Sequence, residues 1–156
     1  MDIQQEITHQ ALQKALTDSF EGLAFAQVFS YRVLSAFTGD TDGLTAVYID
    51  MPEPLAFRFV LMLTNDQVGS FFDAASGGAD LTPALFADFN KEVCNTAAGH
   101  IQTILAPQKM DMLIGLPHII KQPLDYLTPA DNRCILEFEV EEYNAYVVLE
   151  KMTDAT

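Results

Sequence analysis

The chain has 156 residues, and 22 Asp+Glu against 8 Lys+Arg give it a formal net charge of -14 at pH 7. A 49% apolar share with only 19% charged residues supplies a sizeable core and argues against a disordered acidic tail. Charge of this sign repels phosphate backbones and anionic lipid, and the five Lys and three Arg form no basic cluster, so neither nucleic acid nor a membrane surface is the expected partner.

The start, Met1-Asp2-Ile3-Gln4-Gln5-Glu6, carries acid where a secretory signal carries base. No apolar run approaches the ~18 residues needed to span a bilayer, so the expected location is the cytoplasm. Residues Gln4 to Phe25 read as a helix with an imperfect stripe of Ile7, Leu12, Ala15, Leu16, Leu23 and Phe25, which Asp2 could cap. Gln27 to Leu34 has strand composition, with extension of the helix as the alternative, and Gly39-Asp40-Thr41-Asp42-Gly43 is a loop. Leu44 to Asp50 and Leu55 to Leu63 form a hairpin turned by Met51-Pro52-Glu53-Pro54. A short helix runs from Asn65 to about Ala75 on Val68, Phe71 and Phe72, and Ser76-Gly77-Gly78 stops it.

Thr82 followed by Pro83 is an N-cap with proline at the first helical position, and no breaker follows until Pro107, so a long helix occupies 82–105. Met112 to Leu116 reads as a strand that Pro117 interrupts or ends. Arg133 to Glu141 and Ala145 to Lys151 make a second hairpin around Tyr143-Asn144, with Cys134, Leu136, Phe138 and Val140 alternating inward. The expectation is a single α+β domain over 1–156, two long helices packed on a mostly antiparallel sheet. A weak internal duplication is expected because helix followed by hairpin occurs twice.

Around the 82–105 helix, at about 100° per residue, Phe86, Phe89, Val93, Ala97, Ile101 and Ile104 fall on one face, which is core. Asn95 lies opposite that stripe with Glu92 about 60° away, so the two project together into solvent. Asp88 and Gly99 follow the same outer strip, Ala98 flanks it and Lys91 sits nearby. Glycine inside a helix costs about 0.5–1 kcal/mol relative to alanine, so Gly99 marks either close packing within the chain or room for a partner's backbone. An ExxN spacing also arises by chance on solvated helices.

The run Asp88-Phe89-Asn90-Lys91-Glu92-Val93-Cys94-Asn95-Thr96-Ala97-Ala98-Gly99-His100 resembles the ExxN helix of the CheX/CheC family of chemotaxis phosphatases. The order of elements resembles it too: Gly43-Leu44-Thr45 into a hairpin, a short helix ending in Gly77-Gly78, the ExxN helix, Met112-Leu113-Ile114-Gly115-Leu116-Pro117 and a final hairpin. The resemblance implies a CheC-like fold and hydrolysis of the aspartyl phosphate of a CheY-type response regulator. It implies that Glu92 pairs with a lysine beside the phosphorylation site and that Asn95 orients the attacking water. Asp88, Lys91, Ala98 and Gly99 would line the contact with the partner. The chain needs no cofactor of its own on this reading, and Mg2+ belongs to the phosphorylated regulator.

Laying Ser19-Phe20-Glu21-Gly22-Leu23-Ala24 over 90–95 keeps a glutamate and puts Ala24 where the asparagine stands, which implies one site per chain. The alternative function is a non-catalytic adaptor of the same fold that binds a signalling or flagellar-switch partner. A homodimer through a sheet edge is a further expectation. His9, His100 and His118 share no metal-ligand spacing, and GxxxxGK[ST], GxGxxG and GxSxG are absent. Cys94 and Cys134 read as idle thiols, and the acids of 137–142 as the outward face of a strand. Because a phosphorylated regulator is itself acidic, the acid excess should lie mostly away from the motif face.

Overall fold

The computed structural model describes residues 3–39, 41–51, 56–105 and 115–152. In chain order these form α1 (Ile3–Ala24), β1 (Val28–Leu34), β2 (Leu44–Met51), β3 (Phe57–Thr64), α2 (Asn65–Ser76), α3 (Pro83–Leu105), β4 (His118–Ile120), α4 (Leu124–Leu127), β5 (Arg133–Val140) and β6 (Tyr143–Lys151). The strands make one six-stranded sheet in the order β1-β5-β6-β3-β2-β4, with every pairing antiparallel. Matching β1, β2 and β3 to β4, β5 and β6 turns this order into its own reverse. The duplicated unit is therefore αβββ, one strand longer than helix plus hairpin, and the centre of the sheet is the β3–β6 pair.

Period-two alternation decides which side chains meet the helices. Val47, Ile49, Met51, Phe59, Leu61, Leu63, Leu136, Phe138, Val140, Ala145 and Val147 form one core with Leu12, Ala15, Leu16 and Phe20 of α1, Val68 and Phe71 of α2, and Val93, Cys94, Ala97, Ala98 and Ile101 of α3. Phe20 is wholly buried with its ring 5.1 Å from that of Phe71. Burying a side chain of that size contributes about 1.5–3 kcal/mol. It replaces Phe25 in the expected stripe: Phe25 is 81% exposed, beyond the last turn of α1, in a left-handed conformation at φ 55. Ile104 likewise leaves the expected core face of α3 and is 36% exposed at the helix end.

The opposite sheet face is covered in part. Ala46, Val60, Met62, Ile135 and Val148 pack under Leu127 and Tyr126 of α4, a helix the sequence reading missed, and under Leu34 and Phe37. Beside that cluster the registers align Asp50, Arg58, Glu150 and Arg133 across β2, β3, β6 and β5 as alternating charges. Arg58 binds both carboxylate oxygens of Asp50, at 2.7 and 3.1 Å, and donates to Tyr126 Oη at 2.8 Å. Arg133 donates to Glu150 at 2.6 Å and to the Asp125 and Thr128 carbonyls, which anchors α4.

Local rules account for the boundaries. Thr64 and Gln67 close a capping box at the start of α2, and Gly77 ends it at φ 70. Thr82 Oγ1 accepts from the Leu85 N–H at the start of α3, as expected of its N-cap. The second hairpin turns at Glu141-Glu142, with Glu141 at φ 52, while Tyr143 and Asn144 already belong to β6. Of the expected strand at 112–116, residues 112–114 lie outside the described residues and 115 and 116 are not in a strand, while a ladder begins after Pro117 with Tyr48↔His118. Gly115 donates to the Asp50 carbonyl at 3.0 Å, and a Cβ there would meet the same oxygen at 3.2 Å, so the close approach to β2 favours glycine. The expected cap at Asp2 and the turn residues 52–54 also lie outside the described residues.

His9 and Cys134, 125 positions apart, meet between α1 and β5, with Sγ 3.3 Å from Nε2. His9 is 4% exposed, its ring edge-on to Tyr31, and burial lowers its pKa below the ordinary histidine value. The folded chain thus refuses a proton that the unfolded chain takes up below about pH 6.5, so this contribution to stability is complete above that pH and is lost as pH falls. Urea unfolding between pH 7 and 5.5 should show a loss of up to about 1.4 kcal/mol per pH unit from this group. A His9→Leu variant should show a flatter profile, and an identical slope in both proteins would rule His9 out as the source.

Candidate functional site

The burial of α3 fixes what it presents. Val93, Cys94, Ala97, Ala98 and Ile101 are inaccessible against the sheet and α1, which leaves Leu85, Asp88, Glu92 and Asn95 exposed along the outer side. Glu92 and Asn95 are neighbours at i and i+3, about 5–6 Å apart at Cβ. Lys91 and Gly99 are half-buried on the borders of the strip. Ala98 does not flank it: the side chain is fully buried, because its position on the wheel falls in the seam with the core cluster. It is therefore withdrawn from the set of surface contacts.

A Cβ built on Gly99 meets nothing within 4 Å among the described residues. Of the two explanations for glycine at this position, close packing against those residues is thereby removed, and an open notch one turn beyond Asn95 remains. The corresponding part of α1 differs. Glu21 is exposed, but Ala24 is 7% exposed and buried at the helix end, so a carboxylate is presented there without a carboxamide beside it.

The side of α3 that faces the sheet carries a polar contact that sequence patterning did not single out. Asn90, 4% exposed, donates from Nδ2 to Thr45 Oγ1 on β2 at 2.7 Å. One turn later the Cys94 thiol donates to the Val47 carbonyl at 3.7 Å, and burial pushes that thiol's pKa far up, so it stays protonated. Thr45 Oγ1 in turn donates to the Leu63 carbonyl at 3.4 Å. A buried asparagine inside a helix is ordinarily read as a mispatterned surface residue. The signal that could have found it is the coincidence of Asn90 on the apolar face with Thr45 on the inward-facing register of β2.

The electrostatic expectation is corrected in part. Glu137 pairs with Arg32 at 2.8 Å, Glu139 accepts from Ser30, and Glu141 accepts from the Gln27 N–H, so the acids of 137–142 staple β1 to β5 and are not simply an outward solvated face. Helices α1, α2 and α3 together carry seven carboxylates against two lysines, so the helix layer is itself acidic. On the strip the balance is Asp88 and Glu92 against Lys91. Among the described residues no group of three or more His, Cys, Asp or Glu side chains is placed to hold a metal ion, and no helix is long and apolar enough to cross a membrane.

No protein-family model and no curated protein matches the sequence. Solved structures do match the fold. A CheC-like superfamily protein from Shewanella sp. PV-4 superposes with a TM-score of 0.69 at 15% identity, over 96% of this chain and 98% of that one. The chemotaxis protein CheX from Desulfovibrio desulfuricans gives 0.68 at 13% identity over 91% and 97%. A chain of the CheX–CheY–BeF3–Mg2+ complex from Borrelia burgdorferi gives 0.67 at 11% identity over 93% and 97%. The α+β architecture described above, with its six-stranded antiparallel sheet under two long helices, is thus the fold of CheX and the CheC-like chemotaxis proteins.

Proposed function

We propose that this protein acts in chemotaxis-type two-component signalling by accelerating hydrolysis of the aspartyl phosphate of a CheY-type response regulator. The observation that carries the reading is the exposed Glu92 and Asn95 pair on the outer face of α3, with the open notch at Gly99 beside it, on a fold shared with CheX. The similar chain found in a complex with CheY supports a partner of that kind.

An aspartyl phosphate is an activated acyl phosphate, so a helper contributes chiefly by placing a water in line with the leaving oxygen. A neutral carboxamide suits this task, because Asn95 can accept from the water and donate to a phosphoryl oxygen without adding negative charge. Glu92, about 60° away around the axis and just under one turn along it, pairs with a lysine of the regulator and sets the register. The magnesium ion is the regulator's. At Gly99 the absence of a side chain lets the partner's backbone approach α3.

The test is to follow phosphate loss from phosphorylated receiver domains of the CheY type against their spontaneous decay. Asn95→Ala should reduce the acceleration by about 100-fold or abolish it, with binding to the beryllofluoride-loaded regulator retained. Glu92→Lys should weaken binding through repulsion from the regulator's lysine, and unchanged affinity would remove Glu92 from this role. Tight binding by the parent protein with unaltered decay would instead establish the non-catalytic adaptor. Gly99→Ala should raise the stability of α3 by about 0.5–1 kcal/mol in urea unfolding while weakening regulator binding. A variant that binds as well as the parent would show that the notch is not used.

A further inference from the structure

The two polar contacts under α3 have matched spacing. Asn90 and Cys94 are four residues apart on the helix, a rise of about 6.0 Å, and their partners Thr45 and Val47 are two residues apart on β2, about 6.8 Å. The helix therefore lies along the strand with its axial position marked at two successive turns. Each of these residues is two positions from Glu92, which puts both about 200° around the axis from it. Any slide or roll of α3 that displaces Glu92 and Asn95 must break one contact or both.

This arrangement goes beyond what burial requires. Asn90 Oδ1 has no hydrogen-bond partner among the described residues, and Gln67 Nε2 has none either. An apolar residue at position 90 would bury without leaving an unpaired carbonyl oxygen. Both unpaired groups are tied to the same peptide unit, since Leu63 O accepts from Thr45 Oγ1 and Thr64 N donates to Gln67 Oε1. The start of α2 and the middle of α3 are thereby keyed to one point at the end of β3. The symmetry-related helix is held differently: Ser19, which overlays Asn90, is buried, but its hydroxyl donates to the Ala15 carbonyl of its own helix at 2.6 Å, and α1 meets the sheet through His9, whose Nε2 lies 3.3 Å from Cys134 Sγ. The copy that lacks the asparagine of the outer pair also lacks the amide-to-hydroxyl bond beneath it.

We infer that Asn90 is a positioning residue, whose bond to Thr45, together with the Cys94 contact to Val47, sets the height and rotation at which Glu92 and Asn95 stand on the outer face of α3. The consequence for catalysis rests on the phosphatase reading, whereas the mechanical statement about α3 does not. Thr45→Val keeps the β-branched shape suited to the strand and removes the acceptor, Thr45→Ser keeps the hydroxyl, and Asn90→Leu removes the donor.

Hydrogen exchange of the α3 amides from 92 to 99 should quicken by about 10-fold in Thr45→Val relative to amides of β5 and β6, and remain near the parent value in Thr45→Ser. In dephosphorylation assays Thr45→Val and Asn90→Leu should lower kcat by about 10-fold with KM changed less than about twofold, because positioning rather than docking is impaired. In an Asn95→Ala background Thr45→Val should have no further effect on the rate. Unchanged exchange in Thr45→Val, equal damage from Thr45→Ser, or an undiminished effect in the Asn95→Ala background would overturn the inference. If the parent protein accelerates no regulator's decay, the phosphatase reading falls and the exchange result alone decides the clamp. If Asn90→Leu does not fold, the two Thr45 variants carry the test.

Discussion

Everything the outer face can do follows from how deeply α3 is seated. Five of its residues, Val93, Cys94, Ala97, Ala98 and Ile101, are sealed from solvent against β2, β3 and α1, and this stripe leaves one orientation for the rest of the helix. Glu92 and Asn95 are exposed because the stripe is narrow, and it is narrow because small residues at 97 and 98 let α3 sit close. The same closeness removes Ala98 from the surface. A wider apolar stripe would have gained burial and consumed the positions that now form the pair.

Patterns set by a single element were readable in the sequence. Thr82-Pro83 announced α3, alternation in Cys134, Leu136 and Phe138 announced β5, and Gly77 marked the end of α2. The Glu92–Asn95 pair was legible for the same reason, since both residues ride on one helix and their relation needs only its pitch. Features that depend on two distant elements were not. The wheel of α1 could not choose between Phe20 and Phe25, because Phe71 of α2 makes the difference. The strand β4 beyond Pro117 had no boundary of its own in the sequence, since its pairing depends on Tyr48 and Ala46 far upstream. His9 with Cys134 and Asn90 with Thr45 are contacts between elements whose register no local pattern reports.

The charge distribution has a division of labour. All three arginines are committed to carboxylates on the sheet, Arg32 to Glu137, Arg58 to Asp50 and Arg133 to Glu150. The exposed Arg32 pair contributes little by itself. Arg58 and Arg133 gain more from bracketing Tyr126, which holds α4 over an otherwise open apolar face. With the arginines so used, the helix layer faces its surroundings with a surplus of acid. A partner of the proposed kind, itself acidic, would then have to be recognised by short-range contacts at the strip, without help from long-range attraction.

The symmetry of the sheet bears on how the chain reaches its fold. Each αβββ half lends an outer strand to the other: β1 lies against β5, with Val28 opposite Val140, and β4 lies against β2. The central ladder joins β3 to β6, again one strand from each half. Neither half can complete its own sheet, so the fold has no independently closing portion despite its repetition. As the chain emerges from synthesis, β1 must wait for more than half the sequence before its partner exists. Contacts of such long sequence separation make for slow folding, and they leave Val28 and Tyr31, which pack on the core in the finished fold, uncovered in the interval. In this protein duplication has produced two interlocked parts, with cooperativity as the result.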